Sequence, residues 1–161
     1  MPDRKIFSFD WALWFQWVVV TTMGWILGGV LVAGIDLLAT GIAIGVLQGF
    51  ILQHRIAKAW QWMVATAAGW ALGSLIIIGF LPAALDFLGG VILGLTCGLA
   101  QWIILRKEVH WAGWWIPISI AAWTTGMTLL PGFFLTGMLA GAITGVALEL
   151  LLRYPKERKI A

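Results

Sequence analysis

Long apolar runs, broken by short polar or Pro/Gly stretches, divide this chain into six segments covering residues 11–32, 35–52, 60–81, 85–105, 111–130 and 133–152. Each is close to the roughly twenty residues that a helix needs to cross about 30 Å of hydrocarbon. The third and fourth are separated only by Pro82 and its neighbours, and the fifth and sixth only by Pro131-Gly132, both suited to tight turns. The pattern predicts an all-α integral membrane protein of six transmembrane helices, one membrane domain spanning residues 1–161.

The polar and small positions within the runs repeat. Trp17, Thr21, Gly24, Trp25 and Gly28 match Trp62, Thr66, Gly69, Trp70 and Gly73, and then Trp115, Ser119, Ala122, Trp123 and Gly126. On the run after each copy, Gly41 and Gly45, Gly94 and Gly98, and Gly141 and Gly145 hold matching places. Internal repetition at this period sets architecture. Three tandem helical hairpins follow, at about 11–57, 58–108 and 109–155, related by a pseudo-threefold axis along the membrane normal.

At about 100° per residue, Trp17, Thr21, Gly24, Trp25 and Gly28 fall on one helix face, and so do Gly41, Gly45 and Gln48 on the next run. Glycines four apart let helix backbones touch, and van der Waals contact drives helix association in lipid. These glycines are therefore expected to pack helix on helix, with Trp rings set into the grooves and Ile77 facing outward to lipid.

Composition agrees, at 61% hydrophobic and 11% charged residues with a mean hydropathy of +0.97, far from a soluble domain. Arg4 and Lys5 before the first run could suggest a cleaved leader. Trp17, Thr21 and Trp25 belong to the repeat, however, so the first helix is expected to be retained. All ten cations lie on one side: Arg4, Lys5, Arg55, Lys58, Arg106, Lys107, Arg153, Lys156, Arg158 and Lys159. The other side carries only Asp36 and Asp86. The positive-inside rule puts both termini in the cytoplasm of a bacterial inner membrane or its equivalent. The net charge of +3 then reflects topology and anionic lipid headgroups at the basic side, and no nucleic-acid partner is expected.

Twelve tryptophans need sorting. Trp11, Trp14, Trp60, Trp102, Trp111 and Trp114 sit near the basic boundary and read as an interfacial belt. Trp25, Trp70 and Trp123 lie more than two turns inside, where an indole N–H needs an acceptor. Gln48 and Gln101 stand at matching places, each seven residues after the first aligned glycine, where the third copy has Leu148. Polar side chains at this depth form interhelical hydrogen bonds or contact a ligand.

Catalytic constellations are missing. His54 and His110 occupy unmatched places at the basic end, and their remote chemistry is axial ligation of a haem or chlorophyll-type metal; no metal-ligand spacing is present. Cys97 is alone inside a run, and Glu149 stands four residues before Arg153, the spacing of an ion pair. Three hairpins also build the mitochondrial carriers, but their Pro-x-Asp/Glu-x-x-Lys/Arg signature is missing; the Trp-rich sensory and translocator proteins lack a threefold repeat.

Faces of Gly and Trp specify packing, and nothing specifies chemistry. The leading expectation is a non-enzymatic accessory, scaffold or assembly subunit that meets a membrane-protein partner in a larger complex. The alternative is a binder of a flat hydrophobic ligand (carotenoid, chlorophyll, haem, quinone or lipid) at Trp25, Trp70, Trp123, Gln48 and Gln101. A small-solute transporter or channel is the third, weakened by the sparse polar lining.

Overall fold

The computed structural model describes residues 9–31, 36–129 and 134–156. Arg4, Lys5, Arg158, Lys159 and Pro131-Gly132 lie outside these residues, as do the side chains of Asp36 and Asp86. Among the described residues the fold is all helical: α1 Trp11–Leu31, α2 Asp36–Leu52, α3 Ala59–Phe80, α4 Gly89–Glu108, α5 Trp115–Leu129 and α6 Leu135–Leu152. Each helix packs antiparallel on the next, and α6 packs on α1, so the six close into a ring.

Four of these helices are long and apolar enough to cross a membrane: α1, α3, α4 and α6. Six had been expected. The 17 residues of α2 and the 15 of α5 fall short, with residues 32–35 and 130–133, outside the description, adjoining them.

Proline explains two boundaries that differ from the sequence reading. Leu81 is extended at φ −88° and ψ 114°, because the ring of Pro82 disfavours a helical residue before it. A 3-10 segment, Ala83–Leu88, then occupies what had been expected to be the start of the fourth span. The fifth run likewise opens with a 3-10 turn, Ala112–Trp114, and α5 begins at Trp115. Pro117 falls in its first turn, where a missing N–H costs nothing.

The core is built in two clusters. One gathers Trp17, Trp62, Trp115, Leu105 and Leu148 towards the basic end, and the other gathers Ile44, Trp70, Leu93, Trp123 and Ala140 deeper in. Ile77 packs against the second cluster, so its expected lipid-facing role is corrected. Its neighbour Ile78, at 76% exposure, is the outward residue.

Arg55, Lys58, Arg106, Lys107, Arg153 and Lys156 all lie where α2, α4 and α6 end. Ties at that end are specific. Asp10 accepts the Leu13 N–H through Oδ1, capping α1, and pairs through Oδ2 with Arg55 at 2.8 Å. Its own N–H donates to Glu149 Oε1, which also receives Arg153. The expected Glu149–Arg153 pair is therefore present, at 2.6 Å, and it also joins α6 to the start of α1. His110 N–H donates to Tyr154 O, and Lys156 N–H to Glu108 O, tying the tail to the α4–α5 connection.

Candidate functional site

The matched tryptophans meet in threes inside the ring. Trp17, Trp62 and Trp115 form one triangle, with ring centroids 5.8, 5.5 and 6.5 Å apart and near-perpendicular planes. Trp25, Trp70 and Trp123 form a second, with separations of 6.2, 5.0 and 5.9 Å. The edge-to-face contacts, all three in the first triangle and Trp70–Trp123 in the second, suit the aromatic quadrupole, while Trp25 is tilted against both of its neighbours. Eight residues separate the two layers along each of α1, α3 and α5, a rise of roughly 12 Å.

Hydrogen bonding distinguishes the layers. Trp62 Nε1 donates to Gln48 Oε1 at 3.0 Å while Gln48 Nε2 donates to Thr21 Oγ1 at 3.0 Å. Trp115 Nε1 donates to Gln101 Oε1 at 2.9 Å, and Gln101 Nε2 to Thr66 Oγ1 at 2.8 Å. Gln48 on α2 thus joins α1 to α3, and Gln101 on α4 joins α3 to α5. Trp17 Nε1 donates instead to Thr144 Oγ1 at 3.0 Å, whose own hydroxyl donates to Ala140 O. In the deeper layer Trp70 Nε1 is buried with no acceptor among the described residues.

The five residues grouped from sequence as a ligand set therefore divide. Gln48 and Gln101 serve Trp62 and Trp115 in the layer nearer the basic end, whereas Trp25, Trp70 and Trp123 stack on one another a little over two turns away. The bonded indoles are Trp17, Trp62 and Trp115, which the repeat alone does not single out. A depth count would have found them: Gln48 is four residues from the end of α2, and Trp62 three from the start of α3, so antiparallel packing sets them level.

The glycines take two different tasks. Gly24 and Gly28 on α1 face Ile44 and Thr40 on α2, Gly69 and Gly73 on α3 face Cys97 and Thr96 on α4, and Gly126 faces Thr136 on α6. Those contacts pack α1 on α2, α3 on α4 and α5 on α6. Gly41 and Gly45 on α2 meet Trp70 and Thr66 on α3, Gly94 and Gly98 meet Ile120 and Ser119 on α5, and Gly141 and Gly145 meet Thr21 and Trp17 on α1. These pack α2 on α3, α4 on α5 and α6 on α1.

The contacts also correct the third copy's register. A Cβ at Gly45, Gly98 or Gly141 would stand 3.0 Å from the Cβ of Thr66, Ser119 or Thr21 respectively. Gly141, not Gly145, is thus the counterpart of Gly45 and Gly98, and Thr144, not Leu148, holds the place of the glutamines. The ladder Gly137-x₃-Gly141-x₃-Gly145 can slide by one turn without changing its pattern, so only the partner helix fixes its register.

The belt residues Trp11, Trp60, Trp111 and Trp114 are exposed at the basic end, while Trp102 is covered by the Arg106 guanidinium at 4.9 Å. Trp14 departs from the belt, donating to Ala142 O at 3.0 Å. His54 and His110 are both exposed. Among the described residues no group of three or more His, Cys, Asp or Glu side chains could hold a metal.

No protein family, curated protein or solved structure matches this chain.

Two apolar grooves lie on the outer surface near the basic end. One, of about 360 Å³, runs between α3 and α4 over Trp60, Gln61, Ala65, Ala68, Ala100 and Ile103. The other, of about 230 Å³, lies between α5 and α6 over Trp111, Trp114, Ile118, Ala147, Leu150 and Tyr154. Neither touches the tryptophan layers.

Proposed function

We propose that the chain is an integral membrane packing subunit, three tandem hairpins around a pseudo-threefold axis, that acts without catalysis by docking on partner helices in a larger complex. The observation that carries this reading is the filled axis. Six indoles occupy the place where a transporter would need a polar path, and the Gln48, Gln101 and Thr144 bonds hold one of the two layers together. Function then falls to the outer surface, which is apolar along α3 at Val64, Leu72, Leu75, Ile78 and Phe80. Both termini face the cytoplasm, because the cations gather at their end.

Purification of the full chain in mild detergent should bring down a stoichiometric membrane partner. Trp25→Phe and Gln48→Leu should leave that association intact, since neither residue reaches the outer surface of α3. Recovery of the folded chain with no partner would overturn the reading. Reporters fused after Arg55 and Arg106 should report the cytoplasm, and fusions near Asp36 and Asp86 the opposite side.

One observation favours a second reading, a flat ligand with a carbonyl such as a quinone. The Trp70 N–H lacks an acceptor, and half-buried Trp25 beside it leaves that layer less enclosed than the other. Visible absorbance or an extractable quinone in the purified chain would support it.

A further inference from the structure

The α3–α4 groove starts at Trp60, in the first turn of α3, and runs to Ala68, roughly 12 Å into the bundle. Half-buried Ala65 and Ala100, exposed Ala68 and buried Ile104 form its floor, exposed Val64 and Ile103 its walls, and no acid lines it. At roughly 30 Å³ per water-sized group, its volume takes about a dozen methylenes.

The mouth is cationic. Lys58 immediately precedes α3, and Lys107 lies one turn beyond Ile103 on α4; both are exposed. Trp60, 62% exposed, stands at the same level, where an indole keeps its apolar body in the acyl region and its N–H near water. The α5–α6 groove repeats the arrangement at the same end, with Trp111 and Trp114 at its mouth.

We propose that the α3–α4 groove binds one acyl chain of an anionic phospholipid, with Lys58 and Lys107 holding the phosphate of its headgroup. The inference rests on the membrane reading above and adds a defined lipid site to it. The chain fills the alanine floor, Trp60 borders the glycerol region, and the two ammonium groups select anionic over zwitterionic heads. Surface lysines near an anionic leaflet favour the bound state enough that a preference of about tenfold is expected from the pair.

The test uses the full chain. Flotation with mixed phosphatidylglycerol/phosphatidylcholine vesicles comes first, then native mass spectrometry in mild detergent with the two lipids of identical acyl chains. The wild type should float and should retain phosphatidylglycerol at about tenfold lower concentration than phosphatidylcholine. Ala68→Leu with Ala100→Leu should fill the groove and weaken both lipids. Lys58→Gln with Lys107→Gln should keep phosphatidylcholine binding and abolish the preference; these exposed positions leave the core untouched, so this variant tests the site even if the filled groove misfolds. Equal retention of both lipids, or an unchanged preference in the lysine variant, would overturn the lipid site alone. A chain that does not float overturns the membrane reading with it.

Discussion

The two tryptophan layers have the same composition but differ in how their indole N–H groups are held. In the layer of Trp17, Trp62 and Trp115 every indole N–H has a side-chain acceptor, two of them glutamines that also reach a threonine. In the layer of Trp25, Trp70 and Trp123, Trp70 is fully buried and its N–H is unpaired. The rings stack equally closely in both, so packing alone brings three indoles together. What the hydrogen bonds add is direction: a glutamine from one hairpin accepts only from the tryptophan level with it on the next, which penalises a slipped ring. At Trp70 the indole is held by packing, with no hydrogen bond to its N–H among the described residues.

The strongest way to break both layers is to separate the helices that carry them. Gly45→Leu should sharply reduce recovery of the folded chain, because even a Cβ there meets Met63 O at 2.8 Å and overpacking costs about 1–3 kcal/mol or more. Gly79→Leu, with nothing within 4 Å of its Cβ position, should be recovered at the wild-type level. Equal tolerance would show that the glycine seams are not tight.

The contrast between layers is sharpened by removing only the N–H. Trp62→Phe leaves Gln48 Oε1 without its donor, while Trp70→Phe deletes a group that had no acceptor. The first should therefore destabilise the chain by about 1–2 kcal/mol more than the second, read by steric trapping or by unfolding in dodecyl sulfate. A Trp70 variant that suffers as much would reveal an acceptor for that N–H.

A smaller difference is expected within the wired layer itself. Gln48→Leu loses two bonds between helices, to Thr21 and Trp62, whereas Thr144→Ala loses one between helices, the acceptor for Trp17, and one within its own helix, to Ala140 O. Each membrane hydrogen bond between helices contributes about 0.6–2 kcal/mol, so the glutamine variant should be the weaker of the two by about that amount in the same assay.

The smallest effect lies outside both layers, at the start of α1. The Leu13 N–H that Asp10 accepts holds its carboxyl below the ordinary 3.8, and Arg55 adds to the shift against partial burial. A lowered folded-state pKa stabilises the chain above the unfolded value and loses that stability as pH falls through the folded one. Asp10→Asn keeps a cap-forming side chain but should flatten the pH dependence below about pH 4, measured by thermal unfolding.

Much of this was written in the pattern of residues. The apolar runs located all six helices to within a few residues, because hydrophobic length and proline placement act locally. The spacing of Trp17, Thr21, Gly24, Trp25 and Gly28 put them on one face, and the Glu149–Arg153 pair followed from a single helical turn. The depth of the glutamines marked them as polar residues in need of partners.

What those partners are was decided by tertiary structure. Helical spacing says which residues share a face, but it carries no information about which level of a neighbouring helix that face meets. Gln48 therefore had no assigned partner until antiparallel packing set it beside Trp62 rather than Trp70. The three-rung glycine ladder of α6 is periodic, so sequence comparison alone matched Gly145 and Leu148 where contact with α1 selects Gly141 and Thr144. Periodicity along one helix is a property of the chain, whereas register between two helices is fixed only where their side chains collide or bond.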